Sequence, residues 1–456
     1  MDEVRVIEFA KYDVTNLHPL AIVFMLVMTV LTVMPKRSGA TFALLAVCVL
    51  MPMEQRLVVG GLDFSLLRII TIVAFLRILV RGEFRGYDFG RIDRLFAFWV
   101  ASGSFFYLIR GGPGGFVFVL GTAFDALMSF FVMRALVRTP IDAVKLWKQL
   151  AWIIIFLSPL ILFENITRHN VFGMFNYEGF DIAVVRNGRV RATGPLSHPI
   201  LTGTLGAVVI PVFFGMLAGQ KKQRRLMVVA CVAATTITLS SGSSGPVMAW
   251  GIGAFGWSIW AIRKRMPVIL WSIVGMLVVI HFIREQPVWH LLLRLSALTG
   301  GTGYHRFHLI DAFINNFSEW FVMGTDDTAH WGWGLQDTTN QYVAEGVTGG
   351  LLTLILFILL LRACFRQLQS ARRAYERLYG PTSALALLTW GCSVSLAAHC
   401  VSFVSVTYFG QFLQFFFFFL ATIPGLTRFE RPKRAKAPAR QASSRAPATR
   451  PQLAAG

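Results

Sequence analysis

The strongest constraint on this chain is the recurrence of apolar stretches along almost its whole length. A helix that crosses a hydrocarbon core of roughly 30 Å needs about 20 mostly apolar residues, with its backbone amides satisfied inside the segment. Stretches of this kind are expected at 18–34, 39–53, 62–80, 93–109, 115–137, 148–163, 199–218, 226–239, 246–262, 267–283, 340–361, 382–400 and 410–426. They predict an all-α, polytopic integral membrane protein with about 13 spans occupying 1–427. A chain that is 55% hydrophobic and 14% charged is a poor candidate for a water-soluble domain of this size.

Lys and Arg fall mostly in alternate connections, among them Lys36-Arg37, Arg134, Lys221-Lys222, Arg263-Lys264-Arg265 and Arg362 to Arg377. Because positive residues stay on the cytoplasmic side, the N-terminus is expected outside and the C-terminus inside. The segment 428–456, rich in Arg, Lys, Ala and Pro, is expected to be a disordered basic cytoplasmic tail lying near membrane lipid. The net charge of +20 is then a product of topology and tail. It does not argue for nucleic acid, since no soluble basic domain is present to hold a groove. The five cysteines fall in or at the cytoplasmic edge of the expected spans, so no disulfide framework is implied.

Two connections expected outside are long, 164–198 and 284–339, and loops of that length between packed helices usually carry function. In the first, Arg186, Arg189 and Arg191 lie within six residues, ahead of Ser197-His198-Pro199. An extended strand would turn Arg189 and Arg191 to one side, and His198 or Ser197 would cap the following helix with Pro199 in its first turn. Guanidinium forks beside a helix start suit an anion, gripping phosphate oxygens in pairs. The alternative is that these arginines pair with Glu164, Glu178 or Asp181.

The second loop adds Arg306, His308, His330 and Asp337, then runs through Asn340-Gln341-Tyr342 into an apolar span. Its Trp289, Tyr304, Trp320, Trp331 and Trp333 suggest a folded lid at the membrane interface. His305 and His308 are one helical turn apart, but with Asp326, Asp327 and His330 they match no established ligand spacing, so no metal is expected. Arg68 and Asp125, both inside expected spans, are expected to pair with each other. The Ser240 to Pro246 cluster lacks the lysine of a phosphate loop and is expected to form a tight hairpin. Gly349-Gly350 is expected to allow close helix packing, and Phe415 to Phe419 to face lipid.

Three passages resemble the O-antigen ligase and O-antigen polymerase superfamily of bacterial envelope glycosyltransferases. They are Arg189 to Gly194 with His198-Pro199, the Thr238-Leu239-Ser240-Ser241-Gly242 hairpin, which lacks the family's usual Arg, and Arg306 followed by Asn340-Gln341-Tyr342 and Gly346 to Gly349. The resemblance implies an inverting, metal-independent glycosyl transfer without cofactor at the external, periplasmic face of the inner membrane. The donor would be a glycan on undecaprenyl pyrophosphate, joined to another lipid-linked glycan or a lipid core in O-antigen, lipopolysaccharide or exopolysaccharide assembly, with a chain-length regulator as a possible partner. Arg189, Arg191 and Arg306 would stabilise the departing diphosphate. Arg186, His198, Asp337, Asn340, Gln341 and Tyr342 would hold substrate. Where the family has His before the exit Asn, this chain has Thr339, which favours a polymerase over a ligase and leaves the base to His308, to His330, or to no histidine. A flippase of lipid-linked glycans and a non-catalytic assembly subunit are the competing classes. Against the flippase stand the lack of a clear inverted repeat and the gathering of polar residues on one face.

Overall fold

A computed structural model describes residues 14–176, 182–186, 188–284, 286–291 and 303–428. Glu178, Asp181 and the expected tail lie outside the described residues, except for Arg428 at the tail's start. Each of the expected spans overlaps a helix. In order these are α1 (Pro19–Val33), α2 (Arg37–Leu50), α3 (Leu66–Val80), α4 (Arg91–Gly111), α5 (Phe116–Leu136), α6 (Pro140–Thr167), α7 (Pro199–Gly219), α8 (Arg224–Ser240), α9 (Ser244–Ser258) and α10 (Met266–Ile283). After the second long loop, which contains α11 (Gly303–Asn315), come α12 (Gln341–Tyr379), α13 (Ala384–Ser402) and α14 (Gly410–Leu426).

Among the described residues, 6 helices are long and apolar enough to cross a membrane: α4, α5, α6, α7, α12 and α13. Apolar helices such as α1 and α14 are shorter. A helix of 15 residues, such as α1, rises only about 22 Å, less than a bilayer core. The molecule is a helical membrane protein by this measure.

Contacts between the connections divide the bundle into two faces. On one, Arg81 donates to the carbonyl of Val33 at 2.8 Å, Arg138 to that of Arg85 at 3.1 Å, and Glu376 accepts from Arg263 at 2.7 Å and Arg372 at 2.6 Å. This basic face carries the ends of α1, α3, α5 and α12. On the other, Gln55 joins the entry to α1 with the first long loop, accepting from His18 N and donating to Phe175 O, both at 2.7 Å. There Gln411 also donates to Pro195 O at 3.0 Å, and Arg110 pairs with Asp326 at 2.9 Å. Both long loops therefore lie on this second, loop face.

Several expectations change on contact with the packing. The span expected to begin at residue 62 starts with an antiparallel hairpin, β1 (Arg56–Val59) with β2 (Leu62–Ser65), and helix begins only at Leu66, capped by Ser65. Arg68 thus sits in the first turn, and its guanidinium meets Asp125 of α5 by two bonds of 2.8 and 2.7 Å, as expected of opposite charges at low dielectric. The Phe415 to Phe419 run does not face lipid. All five are 1 to 3% exposed, because α14 is packed on several sides by α2, α5, α6 and α12.

Gly349 and Gly350 do more than admit a neighbour. Gly349 approaches the backbone of Gly103 in α4, while Gly350, at φ 68°, breaks the helical path of α12. The loop takes up bonds the break frees: Leu351 N donates to Phe321 O, and Thr325 N to Val347 O, both at 2.9 Å. Trp320 and Trp331 join Leu309, Phe313, Leu335 and Val343 in a small core of their own above that break, so the second loop is a folded cap. Trp333 stays 98% exposed.

Candidate functional site

The first long loop forms a hairpin, β3 (Val184–Arg186) with β4 (Arg189–Arg191), joined through Gly188 at φ 73°. Its register pairs Arg186 with Arg189 and Val184 with Arg191. Since paired and alternate residues share a face, all three arginines emerge on one side.

β4 is pinned to the turn between α8 and α9. Ala192 N donates to Ser240 O at 3.0 Å, and Asn165 bridges Val190 O and Ser240 O at 3.3 and 3.0 Å. The Glu164 carboxylate accepts from the amides of Thr193 and Gly194, each at 2.8 Å, and so is committed to backbone rather than to the arginines. Gly242, at φ 56°, lets the chain turn there; a Cβ at this position would lie 2.9 Å from Val190 O and 3.1 Å from Arg191 Cγ.

This arrangement delivers Arg191 to the start of α9. The residue is 8% exposed, and its Nη2 donates to Ser243 Oγ at 2.8 Å. Arg306 arrives at the same place from α11 in the other long loop: a Cβ on Gly245 would stand 3.9 Å from its Nη2 and 2.7 Å from Ser405 Oγ. Both guanidinium Nε atoms are buried without a hydrogen-bond partner, and among the described residues no carboxylate pairs with Arg186, Arg189, Arg191 or Arg306. Burial, and then the positive charge of Arg186, lower the pKa of both Arg191 and Arg306. Arg186 is itself exposed on the hairpin and adds its positive field to the pair. Uncompensated buried charge is costly, and such a cluster persists where an anion can relieve it.

His198 borders the cluster. Its Nδ1 accepts from Ile200 N at 3.1 Å, capping α7 as expected, which requires a neutral ring. Burial, and next the charge of Arg191, push its pKa down to about 4.

The other sequence candidates are placed differently. Arg189 is exposed on the hairpin face. His308 packs against the Gly332 turn and stacks on Tyr304 at a centroid distance of 6.0 Å. His330 pairs with Glu319 at 2.9 Å inside the cap. Asp337 is exposed. Asn340 caps α12, accepting from Tyr342 N and Val343 N at 2.9 and 3.3 Å. Gln341 bonds Glu345 and the amide of Tyr408, at 2.7 and 2.8 Å, and Tyr342 donates to Cys400 O at 3.1 Å. These last three hold the loop exit in place. No trio of His, Cys, Asp or Glu side chains with metal-binding geometry occurs among the described residues.

Ser243 and Gly245 escaped sequence reasoning. Their signal in the sequence is the Ser-Ser-Gly-Ser-Ser-Gly-Pro string, which lacks the lysine of a phosphate loop. In the fold the cations come from two other segments. No family model matches the chain, and no curated protein matches it.

Proposed function

We propose that the chain is a glycosyltransferase of the polysaccharide polymerase or ligase type. It would join glycans carried on a polyprenyl diphosphate at the external face of a bacterial inner membrane. The observation that carries this reading is the meeting of the buried Arg191 and the half-buried Arg306, neither paired with a carboxylate among the described residues, from two separate loops at the start of α9. The short helices would complete about 13 crossings, with the basic face inside by the positive-inside rule.

Transfer of a glycan from a lipid diphosphate breaks the bond between the anomeric carbon and the phosphate oxygen, and the leaving group gathers negative charge. Guanidinium groups already fixed in a partly dry site stabilise that charge as it forms, without reorganising at the moment of reaction. Arg186 adds to the positive field, and the neutral ring of His198 adds no further cation beside Arg191. The acceptor hydroxyl attacks from the opposite side, giving inversion. His308, two residues beyond Arg306, is the nearest candidate in sequence to receive its proton.

The test supplies purified protein in liposomes with polyprenyl-diphosphate-linked repeat units and no ATP. Longer glycans on the lipid are the expected product. Movement of the units across the bilayer with no new glycosidic bond would instead identify a flippase and reject the transferase.

A further inference from the structure

We propose that the open backbone amides at the start of α9, those of Ser243, Ser244 and Gly245, are oxyanion donors that complete the arginine cluster and bind a diphosphate group directly. This rests on the reading of Arg191 and Arg306 as an anion site and adds residues to it.

The first amides of any helix lack partners inside the helix, and a serine at the preceding position normally turns its hydroxyl back to accept from one of them. Ser243 has the right identity and an extended backbone, φ −120° and ψ 132°, yet makes no such bond. Its Oγ instead donates to Ser241 O at 3.0 Å and accepts from Arg191 at 2.8 Å. The amides of Ser243, Ser244 and Gly245 have no acceptor among the described residues. Pro246 follows and has no amide to offer. No acidic residue lies in the first turn to neutralise the helix end.

The second observation is the side chain that is aimed there. Arg191 is more than nine-tenths buried, reaches the helix start through Ser243, and keeps a buried Nε without a partner. Arg306 approaches the next residue but one, Gly245, where any side chain would crowd Ser405 and stand against the guanidinium. A helix start contributes about half a positive charge together with oriented N–H groups, which suits phosphoryl oxygens. Guanidinium forks and amides around one point can share the oxygens of a diphosphate between them.

Proline at position 244 tests this by deleting a single amide. Ser244 is the first residue of α9, where proline fits a helix, and the extended Ser243 before it is the conformation proline requires. Binding of farnesyl diphosphate and of inorganic pyrophosphate to the full chain in detergent is measured for wild type, Ser244→Ala and Ser244→Pro. Ser244→Ala is expected to bind as wild type does, and Ser244→Pro about tenfold to a hundredfold more weakly, the usual effect of losing a hydrogen bond to a charged group. Equal weakening for both ligands assigns the amides to the diphosphate itself, and weakening for farnesyl diphosphate alone assigns them to a lipid-borne one; either supports the proposal. Should Ser244→Pro fail to fold, Gly245→Ala, which places a methyl among the same groups, is expected to weaken binding as well.

Equal binding by the proline and alanine variants would overturn the amide proposal while leaving the arginine site intact, provided Arg306→Ala and Arg191→Ala lose affinity. Unchanged binding in those two arginine variants would overturn the arginine reading, and this proposal with it.

Discussion

Replacing His198 by Asn should remove a pH dependence that the fold builds into the base of the site. The imidazole caps α7 through an unprotonated Nδ1 and lies beside Arg191, so a second positive charge there is opposed twice. Its pKa falls from 6.5 to about 4 on folding, mainly through burial. Because the folded value is the lower one, protons bind the unfolded chain more tightly. The contribution to stability is therefore complete above pH 6.5 and is lost as the pH falls from there toward about 4. At pH 5 the loss is about 2 kcal/mol, taking about 1.4 kcal/mol per pH unit below the free imidazole's midpoint. Asn caps a helix as well as Ser or Asp and does not titrate in this range. Thermal unfolding in detergent, followed by tryptophan fluorescence between pH 8 and pH 4.5, should show wild type losing several degrees more than His198→Asn across the acid half of the range. Parallel decline of the two proteins would refute the reasoning, since the pH sensitivity would then come from other groups.

Other consequences are equally direct. Asp125→Ala leaves Arg68 without its carboxylate inside the bundle and should destabilise by about 3 to 5 kcal/mol, most of which an Arg68→Met, Asp125→Leu pair should restore in a melting experiment. Gly350→Ala must adopt φ 68° with its Cβ 2.6 Å from Val322 O, so melting should drop by an amount equivalent to about 1 to 3 kcal/mol or more; an unchanged midpoint would show that the break in α12 is not fixed. In the glycan transfer assay Arg306→Ala should slow product formation by about 10² to 10³, the usual cost of one lost oxyanion donor. His330→Ala, whose ring is held by Glu319 in the cap, should change the rate far less; equal losses would place His330 in the chemistry after all.

The helices were legible because each apolar stretch is long enough to announce itself, and the Arg68 to Asp125 bond because a lone charge inside a span has few ways to be satisfied. Which way α14 faces was not legible. Five consecutive phenylalanines satisfy lipid and a protein interior equally, and only the helices packed around α14 decide between them. The arginines of the first loop were found from their clustering, and their common face from strand alternation. Their meeting with Arg306 and Ser243 depends on how α8, α9 and α11 pack across more than a hundred residues, which local pattern does not encode. Asn340, Gln341 and Tyr342 illustrate the converse. Polar residues at a loop exit suggest ligand contacts, yet here a cap, a buried amide pair and a phenol to carbonyl bond use them to seat α12.

The most direct test of the account is an experimental structure with a polyprenyl diphosphate bound. Both phosphorus atoms should lie at the start of α9, with phosphate oxygens within hydrogen-bond distance of Arg191 and Arg306 and the lipid running down into the bilayer. A diphosphate seated instead on the basic face, with Arg191 and Arg306 closed onto carboxylates, would contradict it.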